Sequence, residues 1–112
     1  MNIIIYGTNK CNDTKKAQRF FKERNISFHF RDLLDKGLAQ GELNNISVKI
    51  PFEDLIDKES KQFKKRGLEY MNYNIEEELL EDPLLIKTPI VRNGNQFTIG
   101  NQPVVWKEWL NN

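Results

Sequence analysis

The chain has 112 residues and a mass of 13.3 kDa, which allows one domain with a genuine core and no need for disulfide or metal staples. Hydrophobic residues make up 38% and charged residues 29%; that is polar for a globular chain, but seven Phe, three Tyr and two Trp argue against disorder. The net charge of +1 gives no general case for nucleic-acid binding, and the apolar runs Ile3-Ile4-Ile5-Tyr6 and Leu84-Leu85-Ile86 fall far short of a membrane span.

Residues 2–6 predict a short buried strand, rich in β-branched side chains and closed by Gly7. A polar loop follows, and Asp13 or Thr14 can cap a helix running to about Arg24. Ala17, Phe20 and Phe21 share one face of it at i, i+3 and i+4. Asn25 is its natural stop. Residues 27–31 alternate, with Phe28 and Phe30 on one side and His29 on the other, as a second strand. Strand, helix and strand at this spacing form a βαβ unit with parallel strands and a right-handed crossover. His29 has no acidic or thiol partner nearby in sequence and suits an edge or surface position.

The middle of the chain predicts helices over residues 38–46, from Phe52 after Pro51, and over residues 74–81, stopped by Pro83. The basic excess of the chain is concentrated between them in Lys58, Lys61, Lys64, Lys65 and Arg66, a pattern typical of a solvated helix face. Residues 90–92 and 96–99 then predict a hairpin across the turn Asn93-Gly94-Asn95, built on its Asn-Gly pair. A last helix, about residues 103–110, carries an apolar stripe of Val105, Trp106, Trp109 and Leu110. The order β-α-β, several helices, β-β, α demands a mixed α/β fold with a four-stranded sheet covered by helices. The thioredoxin-like fold has this order. One domain over residues 1–112 is expected, with a helical insertion at about 38–83.

Cys11 is the only cysteine, so no internal disulfide can form, which fits a reducing compartment. With one His and one Cys, the usual ligands of a structural zinc site are missing, and no Walker-type loop or dinucleotide fingerprint is present. The first residues lack a basic segment leading into an apolar one, so a cytoplasmic protein without a secretory signal is expected. Cys11 lies between the first strand and the first helix, where unpaired amide N–H groups and the helix dipole favour a thiolate. Lys10, Lys15 and Lys16 add positive charge there and Asp13 opposes it. A small side chain filling a gap is the other reading of this cysteine.

Tyr6-Gly7 followed by Cys11-Asn12-Asp13-Thr14-Lys15-Lys16-Ala17 resembles the opening of the arsenate reductase-related family, which includes ArsC-type reductases and Spx regulators. Leu84-Leu85-Ile86-Lys87-Thr88-Pro89-Ile90-Val91 and Phe97-Thr98-Ile99-Gly100 resemble later segments of the same family, in order and at the expected separation. The resemblance covers nearly the whole chain. It implies that Cys11 is the nucleophilic cysteine and that Thr88-Pro89 is a cis-proline turn facing it. The candidate substrate-binding residues are Lys10, Thr14, Lys15, Lys58, Lys87, Thr88 and Pro89. No cofactor is implied beyond an external thiol such as glutathione or glutaredoxin.

The resemblance also marks departures. Three arginines surround the cysteine in the glutaredoxin-coupled reductases of the family; here Asp57, Thr88 and Gly100 fall at those places, with Lys58 and Lys87 as the nearest cations. A lysine supplies charge but not the planar fork that grips an oxyanion bidentately. Spx-type members often carry Cys-x-x-Cys, and Thr14 here replaces the second cysteine. The preferred expectation is a thiol-dependent oxidoreductase of arsenate reductase type. The alternatives are an Spx-like regulator whose partner is RNA polymerase and which needs no turnover, and a family member that has lost turnover. Neither a membrane nor direct nucleic-acid contact is expected.

Overall fold

A computed structural model describes residues 1–111. The first strand, β1 (Ile3–Gly7), pairs on one edge in parallel with β2 (Phe28–Asp32) and on the other antiparallel with β3 (Ile90–Asn93). β4 (Gln96–Ile99) adds antiparallel to β3, giving the order β2-β1-β3-β4. Gly7 is the last residue of β1, paired with Asp32, and does not merely close the strand. The parallel pair is joined by α1 (Asn12–Glu23), as the βαβ spacing requires. This mixed sheet, with a parallel βαβ half and an antiparallel hairpin half, is thioredoxin-like.

The apolar stripe of α1 is buried on the sheet face that carries Ile3, Ile5 and Val91, together with Trp106 and Trp109 of α6 (Pro103–Leu110). Phe20 meets Phe21 and Trp106 edge-on, at centroid distances of 5.0 and 5.3 Å. Trp106 has no exposed surface, and its indole N–H donates to Thr98 Oγ1 at 2.9 Å, so the one polar atom of the largest core side chain is satisfied. α1 stops where Asn25 takes φ of +57°: the amide of Ile26 donates to the Phe21 carbonyl at 2.9 Å and that of Asn25 to Lys22 at 3.0 Å. This left-handed closure satisfies the last carbonyls of the helix.

Several boundaries differ from the expectation for local reasons. The N-cap of α1 is Cys11, with backbone dihedrals of −92° and 118°, so Asp13 and Thr14 lie inside the first turn. The hairpin turn is Gly94-Asn95, with φ of +62° at Gly94 and Asn93 still paired with Gln96. A positive φ at the first turn residue alone is the two-residue pattern that needs glycine first, and it leaves Asn93 in β3, so the turn is one residue shorter than Asn93-Gly94-Asn95.

By contact density the chain divides into two compact units, Leu34–Lys87 and the remainder. The insertion unit holds α2 (Gln40–Lys49), α3 (Phe52–Leu55), α4 (Lys61–Lys65) and α5 (Ile75–Glu81), with 3-10 turns at Leu68–Tyr70 and Pro83–Leu85. α2 starts two residues later than the apolar pattern suggests and runs on to Lys49; Leu38 is buried ahead of the helix, and the Ala39 amide donates to Glu42 Oε1 at 2.9 Å. Side-chain caps start the next helices: Ser60 Oγ accepts from the Phe63 amide, and Asn74 Oδ1 from the Glu77 amide. Arg66 forks onto both oxygens of Glu78, at 2.9 and 3.0 Å, and reaches Asp82 at 3.0 Å, tying the end of α4 to α5. No helix among the described residues is long and apolar enough to cross a membrane.

Two stability outcomes follow from the sheet unit. Trp106→Ala leaves a cavity and an unpartnered Thr98 hydroxyl, and is expected to cost about 3–5 kcal/mol in urea unfolding. Gly7→Ala is the second. A Cβ built on Gly7 meets the Thr14 side chain, with Cγ2 at 2.6 Å and Cβ at 3.0 Å. That overpacking should cost about 1–3 kcal/mol. Adding Thr14→Ala should recover part of the loss, and strictly additive effects in the double variant would show that the two residues do not clash.

Candidate active site

The β1–α1 loop ends in a turn closed by the Cys11 amide donating to the Thr8 carbonyl at 3.1 Å. The first helical bond of α1 then runs from the Lys15 amide to the Cys11 carbonyl at 3.2 Å. Cys11 therefore stands half in the helix, with a half-buried side chain that caps no backbone amide. Its thiol donates to the Thr88 carbonyl at 3.5 Å, across seventy-seven residues of sequence. The Thr88–Pro89 bond is cis, Pro89 is buried, and the Pro89 carbonyl accepts from the Gly100 amide at 2.8 Å. Thr14 and Thr88 thus lie beside the Cys11 sulfur, with Pro89 next to Thr88 in the chain ahead of β3.

The electrostatics of that sulfur are a contest. Burial is the largest single influence and pushes the thiol pKa up. The polar groups of the Thr14 and Thr88 side chains and the backbone N–H groups of Thr14 and Asp13, near the sulfur though short of full hydrogen-bonding geometry, outweigh it together, and the pKa lies below its ordinary value. The Thr14 hydroxyl is fully buried. No acceptor, the thiol included, meets it at full hydrogen-bonding geometry, yet it is near enough to the sulfur to favour ionisation. A buried hydroxyl without an acceptor is costly, and an ionised sulfur supplies one. Lys10 and Lys15 are exposed, and neither is among the groups that lower the Cys11 pKa. The amide N–H groups expected at the helix start do contribute, joined by the Thr14 and Thr88 side chains, while the lysines do not.

Of the remaining residues singled out in the sequence, Asp57, Lys58 and Lys87 lie in the insertion unit and His29 and Gly100 do not. Lys58 is exposed and bound to Glu53 Oε2 at 3.1 Å, which raises its pKa. Lys87 is half-buried, and its amide donates to the Leu55 carbonyl at 2.7 Å beside the Ile56–Ile86 bridge. Asp57 closes the turn into α4: its Oδ1 accepts from the Glu59 amide and its carbonyl from Ser60. Gly100 holds φ of +78°, a backbone that disfavours any side chain there. His29 is exposed on β2. Sequence reasoning overlooked Gly7, which leaves room for Thr14; the one available signal was a glycine ending a β-branched strand.

Comparison with known proteins is consistent across sequence and structure. The chain is 32% identical over 111 residues to global transcriptional regulator Spx 2 of Oceanobacillus iheyensis, a match spanning 89% of this chain and 77% of that one. It is 27% identical over 103 residues to global transcriptional regulator Spx 1 of Lactococcus lactis, spanning 88% and 80%. The arsenate reductase from Vibrio cholerae has the same fold, with a TM-score of 0.82 and 19% identity over 96% of this chain and 97% of that one. The model of the ArsC family matches residues 6–109, and on that match the chain belongs to the ArsC family.

Proposed function

We propose that the chain is a thiol-dependent oxidoreductase of arsenate reductase type, with Cys11 as its nucleophile and an external thiol as reductant. The observation that carries this reading is a half-buried cysteine with a lowered pKa at the start of α1, in contact with the cis Thr88–Pro89 segment. In the simplest reaction the Cys11 thiolate attacks the glutathione sulfur of a mixed disulfide between glutathione and another thiol, taking up the glutathionyl group and expelling the other thiol as its thiolate. A second external thiolate, from glutathione or a glutaredoxin, then attacks the glutathione sulfur of that adduct and releases Cys11 as thiolate. Thr14 and Thr88 stabilise the ionised sulfur before attack and after release. Pro89 and Thr88 form the wall against which the substrate lies. Lys10 and Lys15 are exposed cations available to an anionic substrate, and Lys87 adjoins Thr88 in the chain. Lys58 is held by Glu53 and offers least. A reducing, cytoplasmic setting suits this chemistry.

A second reading is an Spx-like regulator that works by binding RNA polymerase without turnover. It is favoured by the two sequence relatives, both global transcriptional regulators. Thr14 in place of a second cysteine removes a Cys-x-x-Cys switch, so redox sensing in this reading would fall to Cys11 alone, through an adduct.

Alkylation of the folded protein against pH checks the nucleophile. The rate should rise through a midpoint below the free-thiol value of about 8.5 and level off above it, because the lowered pKa brings thiolate in at lower pH. Thr14→Val removes a donor and leaves burial unopposed at that position, so the midpoint should move up, while Thr14→Ser should hold it near the native value. A native midpoint at or above the free value would make Cys11 a structural residue.

Substrate preference is the second test. Without arginines at Asp57, Thr88 and Gly100, two missing charge-assisted hydrogen bonds of about 1.5–3 kcal/mol each should slow arsenate turnover by roughly 10² to 10⁴ relative to an arginine-bearing family member. A glutathione adduct needs no oxyanion grip and should form readily, detected as a mass increase absent in Cys11→Ser. Fast arsenate reduction lost in Cys11→Ser would instead make the lysines an adequate oxyanion site. No adduct and no turnover, with in vitro binding to RNA polymerase, would decide for the regulator.

A further inference from the structure

The outer face of α1 carries Lys15, Arg19 and Lys22, spaced four and three residues apart so that they line one side of the helix. All three are exposed, and with Gln18 they border an open depression of about 360 Å³. None has a carboxylate partner among the described residues. Their neighbours are engaged: Lys16 pairs with Asp13 at 3.8 Å, and Arg24 lies 3.8 Å from the Phe20 ring centroid and donates to the Phe20 carbonyl. In the insertion unit Lys58, Lys64 and Arg66 are likewise bound to acids. Like charges at these helical spacings repel, so α1 bears an uncompensated repulsion that an anionic surface would relieve.

We propose that this stripe docks an acidic protein surface whose carboxylates repeat at helical spacing. The stripe covers about 10 Å at the rise of an α-helix, too short to track a nucleic-acid backbone. Asp13 and Glu23 stand near its two ends, and a chain of net charge +1 supplies no wider positive field. A lipid surface needs apolar side chains beside the charges, and the buried residues of α1 include Ala17, Phe20 and Phe21, its whole apolar stripe. A short row of carboxylates matches the row of cations in length and sign. Lys15 lies one helical turn beyond Cys11, so a partner seated here adjoins the helix end that bears the sulfur. The docking does not depend on what Cys11 reacts with.

The test uses the full chain, isotope-labelled for amide shifts, and a stabilised helical peptide with glutamates at i, i+4 and i+7. A control peptide has the same composition with the glutamates spread around the helix. A duplex of about 20 base pairs and vesicles of phosphatidylglycerol complete the set. The arrayed peptide should shift the amides of α1 around Lys15, Arg19 and Lys22, bind about tenfold more tightly than the control, and weaken as salt rises. K15E/R19E/K22E should lose that binding and K15Q/R19Q/K22Q should reduce it, each keeping the native circular dichroism because the positions are exposed. No binding of the arrayed peptide, equal binding of the two peptides, tighter binding to duplex or vesicles, shifts away from α1, or unchanged affinity in the charge-reversed variant would each overturn the proposal.

Discussion

The first turn of α1 rests on the end of β1 because Gly7 has no side chain. Thr14 occupies the space a Cβ would fill, and every feature of the candidate site is referred to that contact. It brings the first turn of the helix down onto the strand end, where Cys11 becomes the N-cap and Thr14 is wholly buried. The amides of Asp13 and Thr14 are then aimed at the sulfur. The same placement turns Ala17, Phe20 and Phe21 into the core and leaves Lys15, Arg19 and Lys22 outside, since a helix fixed along one face has no freedom about its axis.

Charge at the sulfur is governed by contact rather than by the field of distant cations. Burial raises the pKa, and neutral donors in fixed positions lower it further than burial raises it. Such donors act at hydrogen-bond range and are little affected by salt, unlike lysines on long solvated stems. That division leaves the exposed lysines of α1 free for interactions with other molecules, while the thiol keeps its ionisation by local means.

Departures from the arginine-bearing members of the family have structural counterparts. Gly100 holds a left-handed backbone, which an arginine would adopt only with strain. Asp57 supplies the acceptors that close the turn into α4. Lys58 and Arg66 are committed to Glu53 and to Glu78 with Asp82. Lys64 pairs with Glu59, so three of the five cations of the basic run seen in the sequence serve local ion pairs.

The order of elements, the apolar face of α1, the tryptophan stripe of α6 and the position of Cys11 were legible in the sequence, because each depends on local periodicity or on neighbours a few residues away. The bounds of α2 and the residue that caps α1 were less legible. Several residues can satisfy a helix end, and tertiary packing selects among them: Leu38 is buried ahead of α2, and Thr14 is drawn into the first turn by Gly7. The hairpin turn is one residue shorter than the sequence suggests because strand pairing keeps Asn93 opposite Gln96. The amides of Asp13 and Thr14 near the sulfur were foreshadowed by its place at a helix start, whereas the contribution of Thr88 was decided only in three dimensions. Thr88 lies far from Cys11 in the chain and reaches it only through the pairing of β1 with β3. Lys15 and Lys16 are exposed because helical geometry turns successive residues of α1 to different sides, and Lys10 is exposed in the turn before the helix.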